Sequence, residues 1–279
     1  MIQDHTVSQL SAARWPEALL ALLFGLLIGS FLNVCIHRWP RGRSVVKPRS
    51  HCVRCRKPIA WYDNIPVLSY ILLRGRCRYC GRHISARYPA VELLAGVLFF
   101  WFVWRLGLTP GAYKMCVLAS ILIALVFSDW EKRLLPDELT LGGTLLGIAF
   151  SFFVPLRDDS ASGLFWLMGL NFGPRAQSVG TSLMGALLPA FFLWGGGWLY
   201  LKLRHREGLG LGDVKLMMMV GAFLGLETAL STLLLGSLAG SVISLIYIKA
   251  THKDASTYQL PFGTFLGLSA LVLAILPAL

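Results

Sequence analysis

The stretch EALLALLFGLLIGSFLNVCI at residues 17–36 decides the fold class, because its only charge is on its first residue. About 20 consecutive apolar residues form a helix long enough to cross the hydrocarbon core of a bilayer. The whole 279-residue chain agrees, with 56% hydrophobic and 14% charged residues and a mean hydropathy of +0.64. Ordinary soluble domains carry about 25% charged residues. The composition therefore excludes a soluble globular enzyme, a disordered chain and a secreted disulfide scaffold.

Further apolar runs predict an all-α, polytopic bundle of about eight transmembrane helices. The sixth run is short, so a re-entrant or tilted helix is an alternative there. The stretch 163–179 is a candidate for lying in the membrane interface. We expect no cleavable signal peptide, because the first 16 residues are polar and no small-residue cleavage site follows the first apolar run. The predicted spans cover residues 17–36, 90–106, 113–128, 139–156, 181–201, 213–227, 229–248 and 262–279.

The positive charge of the chain is concentrated in residues 38–88, which hold 13 of its 26 Lys and Arg residues and a single acid, Asp63. Basic segments beside membrane spans usually stay in the cytoplasm, so the N-terminus is predicted to be periplasmic. Alternating the spans from there places 21 basic residues inside and 5 outside, which supports this orientation. Anionic lipid headgroups are the expected partner of this charge, and we expect no nucleic acid.

Four of the six cysteines form two C-x-x-C pairs in this basic segment, separated by 21 residues. Two such pairs are typical of a site in which four thiolates surround Zn²⁺, and four protein ligands leave no open position for catalysis. Four unrelated thiols are the alternative, but cysteine pairs in the cytoplasm favour a metal over a disulfide. We therefore predict a structural zinc ion that stabilises a small cytoplasmic loop domain, bound by Cys52, Cys55, Cys77 and Cys80.

The chain has only 14 acidic residues, so acids at the predicted ends of spans need an explanation. Asp129 ends the third span and Asp213 begins the sixth, and the predicted topology places both at the cytoplasmic edge of the membrane. Two carboxylates that meet there can share a proton and hydrolyse a peptide bond, one as general base and the other as acid. Taken singly, Asp213 has the alternative role of a helix N-cap and Asp129 that of a boundary charge. Asp137 and Glu92 are competing acids.

Five stretches, in this order along the chain, resemble the bacterial type IV prepilin peptidases, also described as leader peptidases and N-methyltransferases. Gly210-Leu211-Gly212-Asp213 also has the G-x-G-D form of intramembrane aspartyl proteases. The resemblance covers nearly the whole chain. The stretches are GSFLNVCIHRWP at 29–40, WYDNIPVLSY at 61–70, RGRCRYCGRHISARYPAVELL at 74–94, SDWEKRLLPDELT at 128–140 and GLGLGDVKLM at 208–217.

This resemblance implies that Asp129 and Asp213 are the catalytic pair. It implies a prepilin or pseudopilin substrate with a basic leader, cleaved at the cytoplasmic face of the bacterial inner membrane. It also implies methylation of the new N-terminus from S-adenosylmethionine, for which no residues are assigned. The expected division is an N-terminal segment with the first span at 1–37, the zinc-binding domain at 38–88 and the peptidase domain at 89–279.

Two other functions compete with this interpretation. An ion-coupled membrane transporter would use the two aspartates as proton or cation sites. A membrane-anchored zinc module would bind nucleic acid or a partner protein. Within the peptidase interpretation, a basic leader meets a basic loop, so we expect nearby acids to supply local attraction, and the oligomeric state is not predicted. These acids are Glu131, Asp137, Glu138 and Glu207.

Overall fold

The computed structural model describes residues 14–156, 158–170, 172–205, 209–251 and 261–276, and these residues are almost entirely helical. Short 3-10 turns at Trp39–Arg41 and Trp61–Asn64 and two isolated backbone bridges interrupt the helices. In chain order the helices are α1 Trp15–Arg38, α2 Leu68–Leu72, α3 Arg87–Leu106, α4 Pro110–Lys132, α5 Asp137–Phe153, α6 Asp159–Leu167, α7 Pro174–Arg204, α8 Leu211–Leu224, α9 Leu226–Thr251 and α10 Phe262–Ile275.

The predicted class, a helical membrane bundle, is confirmed, and a helix lies at each of the eight predicted spans. Five of them are long and apolar enough to cross a bilayer, namely α1, α3, α4, α7 and α9. Helix α10 is apolar but shorter, α5 has 17 residues and α8 has 14. The number of eight spans therefore stays a prediction.

Backbone contacts divide the chain into two compact units, residues 1–124 with the last two residues, and residues 125–277. The boundary falls inside α4. The first unit includes the predicted zinc-binding segment together with the helices before and after it. The second unit contains both Asp129 and Asp213. The functional division at 37/38 and 88/89 remains a prediction.

In the first unit, α1 and α3 pack with their backbones in direct contact. A Cβ atom at Gly29 would lie 2.6 Å from Glu92 Cα, and one at Gly25 would lie 2.7 Å from the carbonyl oxygen of Ala95. Small residues four apart allow this approach, which is a common way for helices to associate in membranes. Only glycine fits at these two positions.

The basic segment is held to these helices by buried polar side chains. Glu92, a competing acid in the sequence, accepts a hydrogen bond from the backbone N–H of Val67 at 2.7 Å. Arg38, at the end of α1, donates to the carbonyl oxygens of Ser44 and Pro48 at 3.1 and 2.7 Å. Buried charged groups need such partners, so both side chains have a structural role in fixing the loop.

In the second unit, α8 is the central helix, and it packs on α5, α7, α9 and α10. Its closest neighbour is α7, because Gly221 on α8 faces Gly185 on α7 with no side chain between them. The hydroxyl of Ser182 on α7 donates to the carbonyl oxygen of Ala222 at 2.7 Å. This packing fixes the position of α8, whose first turn carries Asp213.

Asp158 is a buried acid that caps two helices of the second unit. Its side chain accepts from the backbone N–H of Ala161 at 2.9 Å, at the start of α6, and from the N–H of Glu227 at 3.0 Å, at the start of α9. A carboxylate at a helix N-terminus satisfies orphan amides and favours the positive end of the helix dipole. Both carboxylate oxygens of Asp158 thus accept capping hydrogen bonds and have a structural role.

Candidate active site and metal centre

The four paired cysteines of the basic segment lie together. Their Sγ atoms are all within 4.8 Å of one another, and Cys52 Sγ lies 3.9 Å from Cys80 Sγ. In a tetrahedral site with Zn–S bonds of about 2.3 Å, sulfur atoms are about 3.8 Å apart. The arrangement therefore fits a four-coordinate metal site, as the C-x-x-C pairs predict, and zinc is the metal that this donor set favours.

The two C-x-x-C turns have the same backbone form. In each, the first cysteine donates its N–H to the carbonyl five residues ahead, Cys52 to Lys57 at 3.0 Å and Cys77 to Arg82 at 2.9 Å. The residue after the second cysteine has a positive φ, 58° at Arg56 and 65° at Gly81. Each turn brings the two thiols of its own pair close together through local sequence. The four-thiol cluster forms because the two turns lie next to each other in the structure.

Asp63, the single acid of the basic segment, fixes the second turn. Arg78 lies between Cys77 and Cys80, and its Nε and Nη2 atoms donate to the Asp63 carboxylate at 2.6 to 3.1 Å. These hydrogen bonds hold the pKa of the Asp63 carboxyl below its usual range. The ion pair therefore stabilises the fold fully at pH values above the ordinary pKa of an aspartate. That stabilisation is lost as the pH falls through the lowered pKa of Asp63.

Removal of this ion pair should loosen the metal centre without removing a ligand. With the cysteine site loaded with metal, we expect Asp63→Asn to speed release of that metal to a chromogenic chelator by about two- to fivefold. This is the size of effect expected from the loss of an exposed, bidentate ion pair. Asp159→Asn, an exposed acid of the second unit, is the control. An unchanged release rate in the Asp63 variant would show that Arg78 needs no partner to hold the second turn.

Loss of a ligand should have a larger effect on metal content. If the cysteine site holds zinc, we expect Cys52→Ser and Cys77→Ser each to reduce the metal content of the purified protein to a small fraction of an equivalent, because a hydroxyl does not replace a thiolate ligand. The yield of protein should fall, since the segment has little apolar core of its own. Elemental analysis by mass spectrometry measures the zinc, and Cys35→Ala, a buried cysteine of α1, is the control that should keep it.

Asp129 lies in the last turn of α4 and is 5% exposed. Its Oδ2 atom accepts two hydrogen bonds from Thr264, one from the backbone N–H at 2.6 Å and one from the hydroxyl at 2.8 Å. Thr264 lies in the first turn of α10, and its backbone N–H also lies 3.2 Å from the carbonyl oxygen of the N-cap residue, Pro261. The Asp129 carboxylate therefore caps a helix from a distant part of the chain.

Asp213 lies in the first turn of α8, where Gly210 is the N-cap. The alternative in which Asp213 is itself the N-cap is wrong, because it is the third residue of the helix. A Cβ atom at Gly263 would lie 3.0 Å from Asp213 Oδ1 and 3.1 Å from Asp129 Cγ. These two distances limit the separation of Asp213 Oδ1 from Asp129 Cγ to about 6 Å. The structure thus brings the two aspartates together on either side of Gly263.

Asp137, a competing acid in the sequence, is the first residue of α5, and its carboxylate is paired with a lysine. Its carboxylate receives the Nζ atom of Lys215 on α8 at 2.7 and 2.8 Å. Lys215, the fifth residue of α8, therefore joins α8 to the first residue of α5, and its charge is paired with that of Asp137. The other acids proposed to attract a basic leader, Glu131 and Glu138, are exposed, and Glu207 lies outside the described residues.

Comparison with known proteins places this arrangement in a family. Residues 116–245 match the type IV leader peptidase family, and residues 23–106 match the bacterial peptidase A24 N-terminal domain. A protein of Aeromonas salmonicida named prepilin leader peptidase/N-methyltransferase is 36% identical over 287 residues, which cover 91% of this chain and 89% of that protein. The chain belongs to the type IV leader peptidase family. The resemblance seen in the five stretches is confirmed.

Other relatives carry the same name. The protein of Myxococcus xanthus is 42% identical over 236 residues, which cover 85% of this chain, and the chain spans only 64% of that relative's length. The protein of Stutzerimonas stutzeri is 33% identical over 277 residues, covering 91% of this chain and 89% of the relative. No solved structure matches the chain.

Two residues of this family member's site do not follow from the sequence motifs, Gly263 and Thr264. They lie 134 and 135 positions after Asp129 and belong to the start of α10, in the stretch PFGT at residues 261–264. Pro and Gly next to an apolar run do signal a helix start. That signal identifies a helix end, but it does not indicate which distant carboxylate the helix faces.

Proposed function

We propose that this chain is a membrane peptidase that cleaves the basic leader from type IV prepilins or pseudopilins, with Asp129 and Asp213 as its catalytic pair. The observation that carries the proposal is that both carboxylates lie about 3 Å from one point, the Cβ position of Gly263, which has no side chain to fill it. The names of the relatives and the family membership support the substrate class. They give no support to the ion-coupled transporter.

The chemistry follows from two carboxyl groups that share one proton, because like charges so close do not both ionise cheaply. The ionised carboxylate takes a proton from water, and the water oxygen bonds to the scissile carbonyl carbon. The neutral carboxyl gives its proton to the carbonyl oxygen, which forms a tetrahedral diol. The diol then collapses as the first carboxyl protonates the leaving nitrogen and the second recovers its proton, so the C–N bond breaks and both groups return to their starting states.

The position of the aspartates at helix ends suits this substrate. Asp129 is in the last turn of a helix able to span the membrane, and Asp213 is in the first turn of α8. A pilin keeps its apolar helix in lipid while its leader is in water, and hydrolysis needs water at the bond between them. In the predicted topology, 21 basic residues lie on the cytoplasmic side and 5 on the periplasmic side. This bias supports a cytoplasmic face for the site and a periplasmic N-terminus, in the bacterial inner membrane.

We also propose methylation of the new N-terminus, since the relatives are named N-methyltransferases. S-adenosylmethionine would supply the methyl group as an electrophile when bound. We assign no residues of this chain to it. The cysteine cluster is proposed to hold zinc in a purely structural role, because all four positions of the site are protein thiols.

One assay tests the proposal. The purified protein in detergent is incubated with a prepilin that has a basic leader, with and without S-adenosylmethionine, and the product is analysed by mass spectrometry. We expect a single cut at the junction of leader and apolar helix, and a 14-Da increase only when the methyl donor is present, which is the mass of one added CH₂. An intact substrate, together with ion flux in liposomes that needs the aspartates, would contradict the peptidase and favour the transporter.

A further inference from the structure

The two aspartates of the proposed peptidase have different hydrogen-bond environments. Asp129 receives two donors on one oxygen, the N–H and the hydroxyl of Thr264. Asp213 receives the backbone N–H of Gly210, the N-cap of its own helix. Each carboxylate therefore faces an amide at a helix N-terminus, and the hydroxyl of Thr264 is the donor that distinguishes them.

We propose that Thr264 is a positioning residue that assigns the negative charge to Asp129 and leaves the shared proton on Asp213. The inference rests on the proposed peptidase function and deepens it by giving each aspartate its role. Asp129 is then the general base that takes a proton from water, and Asp213 is the acid that protonates the carbonyl oxygen.

The physical basis is that all of these donors stabilise the ionised form of a carboxylate. A hydrogen bond to a charged group is worth roughly twice a neutral one. The N–H of Thr264 also lies at the N-terminus of α10, where the helix dipole places a partial positive charge. Helix α10 has no charged side chain, so it offers dipoles to Asp129 without a counter-ion that would hold the carboxylate as a salt bridge.

The bonds also orient the carboxylate. Both hydrogen bonds from Thr264 reach Oδ2, so Thr264 leaves Oδ1 as the oxygen to which we assign the proton taken from water. The other charges that act on this carboxylate are those of Arg133, just after α4, and of Asp213. Both lie within the same unit of the chain.

The hydroxyl of Thr264 has a second acceptor. The carbonyl oxygen of Val126 lies 3.3 Å from Oγ1, while Asp129 Oδ2 lies 2.8 Å from it. The hydroxyl has one hydrogen and can direct it to either oxygen. When Asp129 has taken the proton, the hydroxyl can turn to Val126, so neither protonation state leaves a buried donor without a partner.

Removal of the hydroxyl alone tests the proposal. Thr264→Val keeps the volume and the backbone N–H, and we expect it to lower kcat for prepilin cleavage by about ten- to hundredfold with little change in KM, the cost of one bond to a charged group. The acidic limb of the pH profile of kcat/KM should move to higher pH, because the base loses a donor that stabilises its charge. Thr264→Ser should restore both quantities.

The matched control is Thr232→Val on α9, a buried threonine whose hydroxyl bonds the carbonyl oxygen of Thr228 in its own helix at 2.7 Å. It should leave kcat and the pH profile unchanged. Thr264→Ala serves the same comparison if the valine variant does not accumulate. An unshifted acidic limb and a normal kcat in a folded Thr264→Val protein would overturn the inference alone. A wild-type protein that does not cleave prepilin would instead overturn the proposed function.

Discussion

Asp129→Asn and Asp213→Asn are each expected to lower kcat for prepilin cleavage by about a hundred- to ten-thousandfold, the range of effects that general acid–base catalysis contributes. Asparagine has nearly the same shape as aspartate but neither takes a proton from water nor shares one. Since each carboxyl must act in both steps of the hydrolysis, neither half of the pair works alone. The double variant should be scarcely worse than either single variant, because residues that act as a unit are strongly non-additive.

Both variants should still fold. Asp213 is only half-buried, and an asparagine at position 129 keeps an oxygen that can accept from Thr264, so the helix start at α10 stays capped. Zinc content and thermal unfolding in detergent are the measurements that check this. Asp137→Asn is the informative comparison. Asp137 pairs with Lys215 and is not one of the two catalytic aspartates, so this variant should retain normal kcat. If the Asp137 variant lost as much activity as the Asp213 variant, the catalytic pair would have to be reassigned.

The sequence was sufficient for features that depend on nearby residues or on composition. The C-x-x-C pairs predict the four-thiol cluster because each pair folds as one local turn, and only the meeting of two turns is left to the tertiary structure. The apolar runs predict helices at the correct places because a lipid environment leaves the backbone few alternatives. The number of spans does not follow with the same certainty, since α8 has only 14 residues.

The sequence was insufficient where a residue acts through a partner far along the chain. Charge and position identify Asp129 as an unusual acid, but they do not identify Thr264, 135 residues later, as its hydrogen-bond donor. Lys215 lies two residues after Asp213 in the sequence, whereas the carboxylate that it contacts belongs to Asp137, 78 residues earlier. In each of these cases several residues could chemically serve as the hydrogen-bond or ion-pair partner. The packing of the helices determines which of them lies close enough.

The packing of α7 on α8 leads to the second large expected effect, on folding rather than on chemistry. A Cβ atom at Gly221 would lie 1.8 Å from the carbonyl oxygen of Gly185, and one at Gly185 would lie 2.5 Å from the carbonyl oxygen of Gly221. Both obstacles are backbone atoms, so no side chain can rotate away. We expect Gly221→Leu to cost at least about 3 kcal/mol in stability, the upper range for overpacking a core.

In practice the Gly221→Leu protein should accumulate poorly in membranes, and what is purified should unfold at a much lower temperature. It should also lose cleavage, because α8 carries Asp213 in its first turn, and a separation of α7 from α8 would displace that carboxylate from Asp129. Gly195→Leu is the control on α7, since a Cβ atom at Gly195 meets nothing within 4 Å. The zinc content of the surviving Gly221 protein distinguishes the cause, because its cysteines belong to the other compact unit and should keep their metal. A Gly221→Leu protein with normal yield and normal cleavage would mean that α7 and α8 do not touch at these two glycines.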